Sequence, residues 1–583
     1  MAEPIMNRRN LLRLGLGAGA TVLLLPQGGR ALASEAAVRA GGKPAPPLPG
    51  TDGNLGYFGR MFPKLAPFRP DGTTTAAKAV SLANLAALSN AMLEPGGGFD
   101  TTLGALYTYF GQFVDHDITL DLEPQPEDDF TFDGKGARAP LVNPSGQVVY
   151  DYESKKLNLS QIYGGGPDVS PQLYADDGLH FLVPANVNGV IDLPRRADGS
   201  AILVEKRNDE NQILSQFHVA MLLFHNAVTD ALGIRKFAVA QRTVIRYYQW
   251  AILHDFLPAM FGQDTVDAML AGNHRVYDPG ASSARIVMPV EFSGAAYRFG
   301  HSLIRNAYAI NPVISPNNRN ARNTLFAGVG GATGPAGGTG TPLTPVGDLH
   351  GGYPLTLDHQ IDWRNFSEDL FDASVPGASL QVLKQPGANG LQMIGQSVFG
   401  QPPGVPLAGN GAGMPIGGPS GVQPAGSNSI QYRDFVRGFF YQLPSGQDVA
   451  GAYGLMPVDP QVIIPASQIP GFTTGTPLFL YVLYEAFRAN KASATADNFD
   501  NTGTAADFTQ ARLGPVGARI CVDVLLRLLQ QDANGVPGNW SPAAPVATVP
   551  GQFRISDLLR FAGVVPSGAA PAPALLRNAG PQS

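Results

Sequence analysis

Gly111-Gln112-Phe113-Val114-Asp115-His116-Asp117 is the stretch on which the fold is read. Just upstream, Leu103, Leu106, Phe110 and Phe113 recur at helical spacing, which predicts a helix from Leu103 to Asp117 with its apolar side in a core. At about 100° per residue, Gln112, Asp115 and His116 share one face and Asp117 points well to the side of it. One face therefore gathers a base, an amide and a carboxylate, and a second carboxylate is left for another task. A buried, hydrogen-bonded histidine at a helix end would explain the heptad taken alone. Later segments, in matching order, argue for more.

The heptad resembles the distal haem helix of the animal haem peroxidases, the superfamily of myeloperoxidase and peroxidasin. The resemblance implies that Gln112 and His116 face the iron of a haem b, that Asp115 can be esterified to it, and that Asp117 binds calcium. Arg207-Asn208-Asp209-Glu210 is expected to open a long helix carrying Leu214, Phe217, His218, Met221, Leu222, His225, Val228 and Leu232 on one side. It resembles the family's Arg-x-x-Glu, which implies a distal arginine at Arg207 and a second ester-forming carboxylate at Glu210. A solvated ion pair is the plain alternative. The family's methionine linkage has no counterpart, since Asn211 follows Glu210.

Ala296-Tyr297-Arg298-Phe299-Gly300-His301, expected within a helix from about Pro289 to Arg305, resembles the proximal segment. That likeness makes His301 the axial iron ligand and Arg298 a partner of a haem propionate. Gly300 suits the close approach of backbone and a flat macrocycle. His218, His225 and His254 are expected to be structural or surface residues. The family pairs its proximal histidine with an Asn three residues before an Arg. Here Asp434 stands in that place before Arg437, and a carboxylate there would pull the imidazole proton harder. For calcium, the matching loop offers Ser154, the Lys156 carbonyl, Asn158 and Ser160, oxygen donors that suit a hard cation, although Asn158 for an Asp removes a charge.

Composition bounds the rest. Of the residues, 44% are hydrophobic, enough for a large core, and the net charge of -6 gives no electrostatic reason to expect nucleic acid. Cys521 is the one cysteine, which excludes an intrachain disulfide and suggests no thiolate metal site. Many animal members carry disulfides, so the likeness points to a bacterial type. Residues 1–33 resemble a twin-arginine export signal: Arg8-Arg9, an apolar run Leu14 to Leu25 too short to span a bilayer comfortably, then Ala31-Leu32-Ala33. The implied location is periplasmic or extracellular, with no integral membrane segment in the mature chain.

Residues 34–75, rich in Pro, Gly and Ala, are expected to be a linker or surface arm, and 76–565 a single mainly α domain with long Gly/Pro-rich loops and few short strands. Further helices are expected at Ala77 to Leu93, Phe237 to Met260, Ile430 to Phe440, Pro477 to Ala489 and Pro515 to Gln531. Low-complexity stretches 328–342 and 386–429 read as surface insertions and 566–583 as a flexible tail. No internal repeat is evident.

The function so implied is reduction of hydrogen peroxide with oxidation of a halide or small organic donor. Neutral His116 would move the proton from one peroxide oxygen to the other, Arg207 would stabilise the charge on the departing oxygen, and Gln112 would orient water, peroxide or halide. A fatty-acid dioxygenase of the same superfold is the main rival; it needs a Tyr three residues before the proximal His, where this chain has Arg298. A non-catalytic secreted haem-binding module is the other.

Overall fold

The structure, a computed structural model, describes residues 56–565 apart from 92, 95–98, 121–125, 127, 154–155, 281–285, 305–307, 309, 312–348, 350, 372–381, 386–393, 396–429, 465, 467–468, 491–511, 533–535 and 537–538. The expected signal segment, the 328–342 insertion, nearly all of 386–429 and the tail lie outside the described residues. All described residues fall in one compact unit, Pro49–Ser583.

The fold is mainly α. Strand β1 (Gly56–Gly59) leads into helix α1 (Thr75–Ala91) and then α2 (Leu106–Ile118), the helix that carries the heptad. Strand β2 (Tyr150–Asp151), helix α3 (Gln212–Ala231), helix α4 (Phe237–Ala251) and strand β3 (Val287–Pro289) follow. Helices α5 (Ile430–Phe440), α6 (Leu478–Asn490) and α7 (Pro515–Gln531) complete the frame. The run predicted from Phe237 to Met260 is continuous, passing through a π-turn at Ile252–Phe256 to Phe261.

Helix α2 is seated by its aromatic ladder. Phe110 and Phe113, one turn apart and fully buried, meet Phe217 of α3 at ring-centroid distances of 5.8 and 5.1 Å. Tyr248 of α4 and Phe256 of the π-turn close over the same pair at 6.0 and 5.3 Å from Phe110. Each such ring contributes about 1.5–3 kcal/mol by burial, so the polar end of α2 is carried by a stiff element.

Three expectations change. The described part of the supposed surface arm is a core element: β1 lies between β2, antiparallel, and β3, parallel, with Tyr57 opposite Tyr150 and Val287. Phe58, Met61 and Phe62 are buried, and the buried Glu291 carboxylate accepts from the Met61 and Phe62 amides at 2.8 and 3.0 Å. Pro and Gly disfavour a helix there but not a short central strand; Gly59 is required, since a Cβ would lie 2.5 Å from Val287 Cγ1. Secondly, Pro289 to Arg305 is not one helix. It is a turn at Val290–Ser293 and a separate 3₁₀ segment, Ala296–Leu303, divided at Gly294 and at Ala295, whose φ and ψ are -142° and -71°.

The third change is a repeat. Single bridges at Tyr174–Phe181, Ala185–Ile191 and Arg195–Ala201 form three successive hairpin turns. Each turns on an Asp-Gly or Asn-Gly pair whose glycine is left-handed: Gly178, Gly189 and Gly199, with φ of 62°, 74° and 84°. The apolar patterning between them is too short to reveal the periodicity.

Candidate active site

Four elements converge on the polar end of α2. Gln112 and Asp115 are half-buried on it, while His116 and Asp117 are buried. Arg207 and Glu210 do not open the long helix as expected. Asn211 caps α3, its Oδ1 accepting from the Leu214 amide at 2.8 Å, so α3 starts at Gln212 and Lys206–Asp209 forms a 3₁₀ turn ahead of it. Residues three apart eclipse in such a turn, which still sends Arg207 and Glu210 to one side. Gln112 Nε2 donates to Glu210 Oε1, and Asn211 Nδ2 donates to Gln112 Oε1 at 3.3 Å.

This turn is wedged from outside. The Gly351 amide donates to the Glu210 carbonyl at 2.9 Å, and a Cβ on Gly351 would fall 1.8 Å from the Asp209 carbonyl oxygen. Gly351→Ala is therefore expected to cost about 1–3 kcal/mol and to disturb Gln112–Glu210. Thermal unfolding checks it; an unchanged Tm would mean that the wedge yields freely.

Arg207 is clamped by Glu205, through Nε at 3.1 Å and Nη2 at 2.8 Å, and donates to the Thr119 carbonyl at 2.6 Å. Burial alone would lower its pKa, but the carboxylates of Glu205, Asp115 and Glu153 outweigh that and raise it. It stays a guanidinium at every working pH. His116 is pushed down to about 4, chiefly by burial and then by the Arg207 charge, against the pull of Glu205 and Asp115. Burial lifts Glu210 to about 7. At neutral pH the site thus presents a neutral base beside a fixed cation.

Behind His116 lies a network that sequence reading missed. His116 Nδ1 meets Asn208 Oδ1 at 2.8 Å, and Asn208 Nδ2 meets Gln161 Oε1 at 2.8 Å and His218 Nδ1 at 3.0 Å. His218, expected to be a structural or surface residue, is joined to His116 through one amide. A histidine on an apolar helix face gives no signal of this, because its partner comes from a different segment.

On the other side, His301 Nδ1 lies 2.7 Å from Asp434 Oδ2, and Arg298 Nη1 is 3.7 Å from Asp434 Oδ1. Asp434 is buried on α5, while the His301 side chain is 25% exposed. In the 3₁₀ segment Arg298 and His301 eclipse, which is why both reach one carboxylate. One turn along α5, Arg437 Nη1 donates to Tyr441 Oη at 3.2 Å. The two halves are tied directly: Tyr297 Oη donates to the Gly111 carbonyl at 3.1 Å, one residue before Gln112.

These residues fit a haem. The His301 imidazole has one nitrogen anchored by a buried carboxylate, a Cβ on Gly300 beside it would meet nothing within 4 Å, and Tyr297 of the same segment bonds to the helix that carries Gln112, Asp115 and His116.

Asp117 leaves that face as expected. Its Oδ2 accepts from the Leu159 amide at 3.0 Å and its Oδ1 from Ser160 Oγ at 3.4 Å, and burial pushes it up to about 7. Ser160 Oγ also reaches Glu153 Oε2 at 3.0 Å, and the Ser160 amide donates to Asn158 Oδ1 at 3.3 Å. Leu157 and Leu159 are left-handed, with φ of 50° and 59°, a strain that persists only where surroundings enforce it. The Lys156 carbonyl, expected as a ligand, faces the Gln249 amide at 3.4 Å, and Ser154 lies outside the described residues. Among the described residues no group of three or more His, Cys, Asp or Glu is arranged to hold a metal.

Known proteins resemble parts of this chain. Residues 146–327 match the animal haem peroxidase family, a span that includes Arg207, Glu210 and His301 but neither 111–117 nor Asp434. The chorion peroxidase of Drosophila melanogaster is 26% identical over 227 residues, 33% of this chain and 28% of that protein, so the chain spans under a third of that relative's length. Peroxidase A from Dictyostelium discoideum aligns with a TM-score of 0.47 at 15% identity, covering 83% of this chain and 89% of that one. The Oryza sativa fatty acid alpha-dioxygenase aligns at 0.46 and 13%, covering 88% and 79%.

Proposed function

We propose, from the match of residues 146–327 to the animal haem peroxidase family, that the protein reduces hydrogen peroxide at the expense of a halide or small organic donor. The observation that carries the reading is two anchored histidines, buried, neutral His116 on α2 and His301 held by Asp434, whose segments are joined by the Tyr297–Gly111 bond. When bound, haem b supplies the redox chemistry of O–O cleavage. His301 would hold the iron, with Arg298 and Arg437 on the propionate side.

His116 Nε2 takes the proton from one peroxide oxygen and returns it to the other. Arg207, kept protonated by Glu205, stabilises negative charge on the departing oxygen, and Gln112, fixed by Glu210 and Asn211, orients the peroxide or halide. Asp115 and Glu210 are the proposed ester partners of the haem. The dioxygenase reading is weaker: Arg298 stands at the required tyrosine position, and the neighbouring Tyr297 hydroxyl is committed to Gly111.

The test is to load the purified protein with haem, record its optical spectrum, and assay peroxide-dependent dye oxidation alongside His301→Ala. A haem spectrum and dye turnover, both lost in the variant, are expected. Turnover without haem, or haem bound equally by His301→Ala, would sink the reading. Extraction with acidified organic solvent tests the esters, since linked haem stays with the protein.

Calcium is proposed at Asp117, with Ser160, Asn158 and Glu153 as the oxygen donors around it. Glu153, absent from the sequence-derived set, supplies the charge that Asn158 lacks. Native protein is expected to contain calcium by metal analysis, and Asp117→Ala to lose both the metal and most activity. Metal-free native protein with an active variant would reduce 154–160 to a turn. Export by the N-terminal signal is proposed as well, and no helix among the described residues is long and apolar enough to cross a membrane.

A further inference from the structure

Which nitrogen of His116 carries its proton is decided by side chains behind α2, and the decision starts at a backbone atom. The Phe113 carbonyl can only accept, so Gln161, which meets it at 2.8 Å, presents its Nε2 amide there. Gln161 Oε1 then faces Asn208 at 2.8 Å and needs a donor, which puts Asn208 Nδ2 on that side. The same nitrogen offers its other N–H to His218 Nδ1 at 3.0 Å, so that ring nitrogen is an acceptor and His218 carries its proton on Nε2. Asn208 Oδ1 is left for His116 Nδ1 at 2.8 Å, and an acceptor there requires an N–H. Gln161, Asn208, His116 and His218 are all buried. Reversing any one amide would set like against like where water cannot intervene.

We propose that Asn208, Gln161 and His218 are positioning residues that lock His116 as its Nδ1–H tautomer, with the polarity set by the Phe113 carbonyl one turn earlier in the same helix. The Nε2 lone pair is then the one turned toward the reacting peroxide. The catalytic consequence rests on the peroxidase reading; the tautomer itself is a property of the protein alone.

Nitrogen-15 NMR of histidine-labelled protein in a diamagnetic state reads the tautomers directly. In the wild type His116 is expected with a protonated Nδ1 and an unprotonated Nε2, and His218 with the reverse. Asn208→Leu removes the acceptor at similar size; mixed tautomers are expected, with peroxide-dependent dye oxidation slower on the order of 10²-fold. Asn208→Asp keeps an acceptor toward His116 while removing the donor to Gln161 and His218, so the Nδ1–H form of His116 is expected to return with His218 shifting to its own Nδ1–H form, whereas a packing role would favour the leucine. Should Asn208→Leu not fold, Gln161→Leu frees Asn208 to turn and is expected to mix the tautomers likewise. His116 protonated on Nε2 in the wild type, or an unchanged tautomer and rate in a folded leucine variant, overturns the proposal. A protein that takes up no haem defeats the peroxidase reading while the tautomer result still stands.

Discussion

Replacing His116 with alanine is expected to slow the reaction with peroxide by ~10²–10⁴ while haem stays bound, the range that general acid-base groups contribute. Neither of the other two groups assigned to the step can replace the imidazole: Gln112 cannot accept and release a proton at neutral pH, and Arg207 is held as a cation by Glu205. Haem retention follows because His301 and Asp434 lie on other elements. The pH profile makes a second, linked expectation. The base works only when unprotonated, and burial holds it at about 4, so the rate should stay level as pH falls from neutral and drop as pH passes through about 4. Stopped-flow absorbance measures both; unchanged kinetics in the variant would remove His116 from the mechanism, and an acid limb near the ordinary value of about 6.5 would mean that the ring is solvated.

The second large effect belongs to Asp434. A buried carboxylate 2.7 Å from His301 Nδ1 draws the imidazole proton toward itself and makes the opposite nitrogen a stronger donor, which, with His301 on the iron as proposed, would favour ferric over ferrous iron. Asp434→Asn keeps the shape and weakens the pull, so the ferric/ferrous midpoint should rise, by on the order of 60 mV for each tenfold change in the one-electron equilibrium. The Arg298 guanidinium, 3.7 Å from the same carboxylate, should lose its ion pair and become more mobile. Spectroelectrochemical titration decides the matter, since a midpoint that stays in place would put control of the proximal side elsewhere.

Much of this was legible because local sequence and site coincide. The ladder Leu106, Phe110, Phe113 announced α2, and α4, α5 and α7 follow equally strong periodic or apolar runs. What could not be read depends on residues distant in the chain. Asn208 gains its meaning from Phe113 and Gln161, Glu153 from Asp117 and Ser160, and β1 from Val287, none of which leaves a trace in spacing. The proximal helix was misjudged for another reason. Its apolar pattern is compatible with both α and 3₁₀ geometry over so few residues, and Ala295 at -142° makes the break without a proline to signal it.

The Tyr297–Gly111 bond joins positions 186 residues apart, and that separation bears on when the chain can acquire its cofactor. Contacts of such range form late, after the loop-closure entropy of the intervening chain has been met. The juxtaposition of the segments that carry His116 and His301 thus has no counterpart in a nascent or partly folded chain. Under the proposed function, haem capture would then be a checkpoint at the end of folding, taken in whatever compartment the polypeptide completes its tertiary structure.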